Sequence, residues 1–88
     1  MAVIVKSACA GTLESSDVYV EIAPARGVEI ELDSVVGEQF GAGIRSSAEA
    51  VLKSFGITGA KLSLKDRGAL DCVIRARVET AVRRGMEG

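Results

Sequence analysis

The chain has no histidine and no tryptophan, one tyrosine, and two widely separated cysteines, Cys9 and Cys72. Histidine is the side chain that most often moves protons near neutral pH, so the usual acid–base machinery is missing. The two cysteines have no metal-binding or redox spacing and read as small buried or half-buried thiols. Aromatics are 3% of the residues and the net charge is −1. A nucleic-acid surface needs stacking rings or a broad positive field, so none is expected. Arg75, Arg77, Arg83 and Arg84 read instead as a solvated helix face or a contact for an acidic partner. Asp66, Asp71 and Glu14 fit no calcium-loop spacing, and no metal is expected. The first apolar run, 2–5, stops at Lys6, unlike a signal peptide. No stretch reaches the ~20 apolar residues of a membrane span. A cytoplasmic protein without a membrane partner is the expectation.

What is present fits a small globular unit. The 88 residues, 48% of them hydrophobic, suggest one domain over 1–88, near the size at which a single core suffices. Such a domain has little room for a deep pocket. A chain so poor in reactive groups either borrows its chemistry from something attached to it or acts only as a surface. Gly11-Thr12-Leu13-Glu14-Ser15-Ser16-Asp17 is where an attachment would be made. Two hydroxyls, Ser15 and Ser16, stand between two acids on a short polar connection open to a modifying enzyme. Glu14 and Asp17 are the candidates for docking or steering a cationic partner surface. The same four residues are also ordinary turn chemistry, and on residue types alone that reading is the stronger. With no base nearby in sequence, neither serine reads as a catalytic nucleophile.

The charges are unevenly spread. Glu14, Asp17, Glu21, Glu29, Glu31, Asp33 and Glu38 face only Arg26 between residues 10 and 39, whereas bases outnumber acids from residue 40 onward. Asymmetry of this kind points to docking surfaces or to an ordinary solvated surface.

Periodicity gives an order of β-β-β-α-β-α. The apolar run 2–8 reads as a strand. Residues 17–23 alternate, with Val18, Val20 and Ile22 opposite Tyr19 and Glu21, and 28–33 alternate again after the Pro24–Gly27 turn. These two runs read as a hairpin with one dry face and one wet, acidic face. Phe40, Ile44, Ser47/Ala48, Val51 and Phe55 recur at helical spacing, with capping chemistry over 34–38 and Gly56 as the stop. The glycines at 41 and 43 suggest close packing. Ala60, Leu62 and Leu64 alternate with polar residues as a fourth strand. Asp66 is placed to cap a last helix over about 68–84, with an apolar stripe through Leu70, Val73/Ile74, Arg77/Val78 and Ala81/Val82. A right-handed crossover joins the third and fourth strands. The fold expected is α+β: a two-layer sandwich with a small four-stranded mixed sheet and both helices on one face.

Four blocks in this order, Ala10 to Val18, Ile22-Ala23-Pro24, Gln39-Phe40-Gly41 and Gly68 to Arg77, resemble the acyl carrier (gamma) subunit family of citrate lyase. The carrier of malonate decarboxylase is a more distant relative with a similar serine loop. The resemblance runs from about residue 8 to 84. It implies that Ser15 carries 2'-(5''-phosphoribosyl)-3'-dephospho-CoA through a phosphodiester, installed by a separate prosthetic-group transferase. Ser16 stands where the family usually has glycine and is the alternative attachment point. The resemblance further implies a hetero-oligomer. The alpha subunit exchanges acetyl for citryl on the arm's thiol, and the beta subunit cleaves the citryl thioester. The carrier itself would be non-catalytic, with neither Cys9 nor Cys72 bearing the acyl group. Related roles stay open: the carrier of citramalate lyase or malonate decarboxylase, or an unmodified interaction domain.

Overall fold

The computed structural model of the chain describes residues 2–35 and 38–87, and of 38–40 the backbone only. Its elements are β1 (Ala8–Gly11), β2 (Val18–Ala23), β3 (Val28–Ser34), α1 (Glu38–Ser54), β4 (Ala60–Asp66) and α2 (Asp71–Met86). The order is the expected β-β-β-α-β-α, and the architecture is the expected α+β sandwich with a mixed sheet. Among the described residues the strands lie in the order β1-β2-β4-β3. β2 runs antiparallel to both β1 and β4, and β3 runs parallel to β4. The parallel pair is the one joined through α1, as a helical crossover requires.

Alternation puts Val18, Val20, Ile22, Leu62 and Leu64 on the helix side of the sheet, where each is at most 1% exposed. Ala48 and Leu52 of α1 and Ile74, Val78 and Val82 of α2 complete this core. At ~25 cal/mol per Å² of apolar area removed from water, this single layer is the main stabilising contribution. Helix α1 ends as the glycine predicts. Gly56 has φ +70, and the bonds Gly56 N–H to Lys53 O (3.0 Å) and Ile57 N–H to Leu52 O (3.0 Å) close a Schellman motif. Gly41 lies close to β3: a Cβ there would sit 3.5 Å from Leu32 Cδ2. Gly43 has open space around it. The capping expected over 34–38 and the side chain of Phe40 lie partly or wholly outside the described residues.

Four expectations are corrected. The segment 2–7 is not a strand. Val5 N–H and Lys6 N–H both donate to Gly85 O, at 2.9 and 3.3 Å, and Ile4 is buried. The run closes the C-terminal end of α2 instead of joining the sheet. β2 and β3 are not a hairpin, because β4 lies between them. The open face is therefore not uniformly acidic. Glu29 sits opposite Lys61 and Asp33 opposite Lys65, while Glu31 reaches Lys61 at 3.3 Å. Asp66 does not cap α2. The helix starts at Asp71 with no side-chain cap, and Leu70, expected on its apolar stripe, is 71% exposed. Asp66 is instead 1% exposed, accepting Ser34 Oγ–H at 2.8 Å and Ala69 N–H at 2.9 Å. Both cysteines are free and exposed, not buried.

Both outer strands receive an arginine from a helix. Arg84 donates to Cys9 O at 2.8 Å, and Arg45 to Ile30 O at 2.6 Å. An unpaired strand edge invites pairing with another chain, and a charged side chain laid on it opposes this.

Gly11 leads the chain out of β1 with φ +87, and a Cβ built there would lie 1.9 Å from Val18 O. Only glycine satisfies both constraints. Gly11→Ala is expected to lose about 3 kcal/mol or more of stability, read as a lower urea midpoint. An unchanged midpoint would show that the strand exit relaxes freely.

Candidate functional site

Residues 12–17 connect β1 to β2 at one end of the sheet. Asp17 N–H bonds Glu14 O at 3.2 Å, closing a four-residue turn with Ser15 and Ser16 at its centre. Ser16 has φ +65, the one positive value among the described non-glycine residues. A positive φ at the third turn position alone is the sign pattern of a type II turn, which favours glycine there. The glycine usual in the resembling family at this position thus has a physical reason, and Ser16 bears the strain of its absence.

Two supports hold the turn from outside. One is the backbone of Arg67, just beyond β4. Ser16 N–H donates to Arg67 O at 2.7 Å, and Arg67 N–H donates to Asp17 O at 2.9 Å, so the ladder between β2 and β4 runs on into the turn. The other is Arg77 of α2. Its Nε and Nη2 reach Asp17 Oδ1 and Oδ2 at 3.1 and 3.0 Å, a fork on a carboxylate. Thr12 Oγ1–H donates to Asp17 Oδ2 at 2.7 Å, and Val18 N–H to Asp17 Oδ1 at 2.8 Å. The Thr12 hydroxyl, with Arg77 and Val18 N–H adding to it against the desolvation, holds the Asp17 carboxyl down to about 2.

The four residues singled out in the sequence thus come together in one turn but differ in situation. Ser15 is exposed at the apex, and no hydrogen bond to its hydroxyl occurs among the described residues. Ser16 is exposed but fixed through its backbone. Glu14 is exposed, with its carbonyl closing the turn. Asp17 is largely buried, with both oxygens engaged, so it acts first as the anchor of the turn. Sequence reasoning missed Arg77 and Arg67 as its supports. The available signal was Arg77 itself, since a charge on the inward stripe of a helix needs a partner. The Arg67 contribution is made by backbone, which no side-chain pattern reveals.

A groove of about 370 Å³ lies between α1 and the β4–α2 connection. Ile44, Ala69 and Ile74 give it apolar walls, and Ser47, Asp66 and Asp71 contribute polar ones. Ser47 Oγ–H donates to Asp71 Oδ1, and Arg75 Nε to Asp71 Oδ2 at 2.8 Å; the serine first and the arginine second lower the Asp71 carboxyl from its ordinary value. Among the described residues no group of His, Cys, Asp and Glu is arranged to hold a metal ion, and no helix is long and apolar enough to cross a membrane.

A carboxyl whose folded value lies below its usual 3.8 contributes stability that is complete above that value and is lost as pH falls toward 2. Denaturation midpoints should therefore drop between pH 4 and 2, and Asp17→Asn should reduce that drop while lowering stability at neutral pH by about 1–3 kcal/mol. An equal acid slope in both proteins counts against the anchor. Ser16→Gly should raise stability by about 0.5–1 kcal/mol by relieving the positive φ; a loss on thermal unfolding would show that the hydroxyl matters more than the strain.

Comparison with known proteins agrees with this architecture. Residues 5–85 match the family model of acyl carriers described as malonate decarboxylase delta subunit (MdcD). The citrate lyase acyl carrier protein of Haemophilus ducreyi is 49% identical over 84 residues, covering 96% of this chain and 88% of its own. Its counterpart in Yersinia enterocolitica is 51% identical over 86 residues, covering 96% and 89%. In structure, the fold resembles part of a crystal structure from Thermus thermophilus, with a TM-score of 0.61 at 16% identity over 94% of this chain but only 16% of that one. That last likeness concerns the fold alone. With near-half identity over almost its whole length, the chain belongs to the citrate lyase acyl carrier protein family.

Proposed function

We propose that this chain is the covalent carrier subunit of citrate lyase, bearing 2'-(5''-phosphoribosyl)-3'-dephospho-CoA on Ser15. The observation that carries the reading is the exposed Ser15 hydroxyl at the apex of a turn whose two legs are fixed. An attached group there leaves from an exposed side chain, and the hydrogen-bonded turn gives a transferase a defined backbone to recognise. When bound, the group supplies a thiol able to carry an acyl residue as a thioester. The chain's own residues position and display it. Arg77, Thr12 and the backbone of Arg67 hold the turn, and Glu14 leaves an exposed negative charge beside the attachment point. The partners in this reading are the alpha and beta subunits of the lyase and the transferase, in the cytoplasm. The chain is non-catalytic in this reading, which agrees with the absence of histidine.

A second reading has its own observation. The matching family model is named for the malonate decarboxylase subunit, and a carrier reads the arm and its partners more than the acyl group. Activity of the reconstituted complex on citrate, citramalate or malonate separates these roles.

Co-expression with the transferase followed by intact-mass measurement tests the attachment. The expected result is one adduct of the arm's mass, absent in Ser15→Ala, whose stability stays within about 1 kcal/mol of the parent. An adduct that persists in Ser15→Ala and disappears in Ser16→Ala moves the attachment to Ser16. An unmodified protein under those conditions favours a plain interaction domain. Glu14→Gln should slow modification at low salt and lose that effect as salt is raised; equal rates throughout remove the steering role.

A further inference from the structure

The groove between α1 and the β4–α2 connection takes no part in holding the turn. Its polar wall contains a buried carboxylate: Asp66 is 1% exposed, and each of its oxygens accepts one bond from within the protein, from Ser34 Oγ–H and Ala69 N–H. A carboxylate oxygen accepts more than one bond, and Asp71, whose side chain is 63% exposed, is the reachable acceptor for an N–H donor in this wall. Ser47 is likewise buried, its hydroxyl turned to Asp71. Ile44 and Ile74, also buried, supply the apolar side. The volume, about 370 Å³, falls within the range of small-molecule clefts, roughly 300–1,000 Å³. An anion is a poor match to the two aspartates. A neutral, amide-rich chain with methyl groups is a good one.

The groove adjoins, through the chain, the residue that supports the attachment turn. Arg67 exchanges two backbone bonds with Ser16 and Asp17, and the next two residues, Gly68 and Ala69, line the groove. We propose that this groove is the resting site of the neutral, amide-bearing end of the arm carried on Ser15, sheltering its thiol between visits to partner subunits. The proposal rests on the carrier reading above. A tether makes docking intramolecular, with an effective concentration in the millimolar range. Even a weak site is then substantially occupied, and weak occupancy leaves the arm able to depart. Among the groove's residues, Gly43 of α1 offers a clean perturbation, because a Cβ there meets nothing within 4 Å. Gly43→Leu places bulk beside the groove and improves helix propensity.

The experiment uses protein carrying the arm, with attachment at Ser15 first established by intact mass. Backbone amide shifts are compared with and without the arm. The arm thiol's alkylation by iodoacetamide is followed by peptide mass, so that Cys9 and Cys72 are counted separately. The expected result is shift changes at Ile44, Ser47, Ala69 and Ile74 beyond those of the turn, and alkylation at least about threefold faster in Gly43→Leu. If Ser15 bears the arm but the changes stay within residues 12–17 and both proteins alkylate at one rate, the resting site is overturned and the carrier reading stands. If neither serine of the turn is modified, both fall. Should Gly43→Leu fold poorly, the shift comparison on the parent protein decides alone.

Discussion

The forked contact between Arg77 and Asp17 is the constraint on which the β1–β2 turn depends. It ties the β1–β2 connection to α2, elements whose partners are 60 residues apart in sequence. Without it the connection would be a six-residue polar loop with one side free. With it, and with the bonds to Arg67, the loop becomes a fixed turn with Ser15 and Ser16 both exposed at its centre. The carboxylate that looks like a docking charge in the sequence is first an internal part. Removing it leaves a guanidinium and a threonine hydroxyl without their partner, a costlier change than losing one exposed charge.

The uneven charge of the sequence has a related explanation. Acids concentrate in the first half and bases in the second, and the fold brings the two halves into register. Glu31 meets Lys61, Asp33 lies 3.9 Å from Arg67, and Asp17 meets Arg77. Much of what reads as a polarity between docking surfaces is complementarity within one sheet and its helices. The exposed pairs among these stabilise little, and their effect is on strand choice more than on strength. What stays available to partners is a face of alternating charge and the exposed residues around the turn.

How far the sequence revealed this depends on which physical signal each feature leaves. Alternation exposed the strands at 17–23, 28–33 and 60–65, because one face of each is apolar, buried in β2 and β4 and only partly buried in β3. It could not say which strand neighbours which, since alternation fixes a face and not a partner. β4 therefore slipped unseen between β2 and β3, although the lysines of one run and the acids of the other were in matching phase. Residues 3–5 carry β-branched side chains, but the amides of Val5 and Lys6 serve the end of α2 at Gly85, a tertiary demand that outweighs local preference. The position of the candidate site was legible through Ser15, Ser16 and their flanking acids. Its outer supports were not, because one is made by main-chain groups of Arg67 and the other by a residue sixty positions downstream.

The central position of β4 has a bearing on when this turn comes into being. During synthesis, residues 8–34 emerge with three of the four strands, yet β2 and β3 have no neighbour in common until residues 60–66 follow. The outer supports at positions 67 and 77 arrive later still. A nascent or prematurely ended polypeptide therefore displays the serines only on a slack tether. An enzyme that selects its acceptor by shape would pass such a fragment over and load only finished protein.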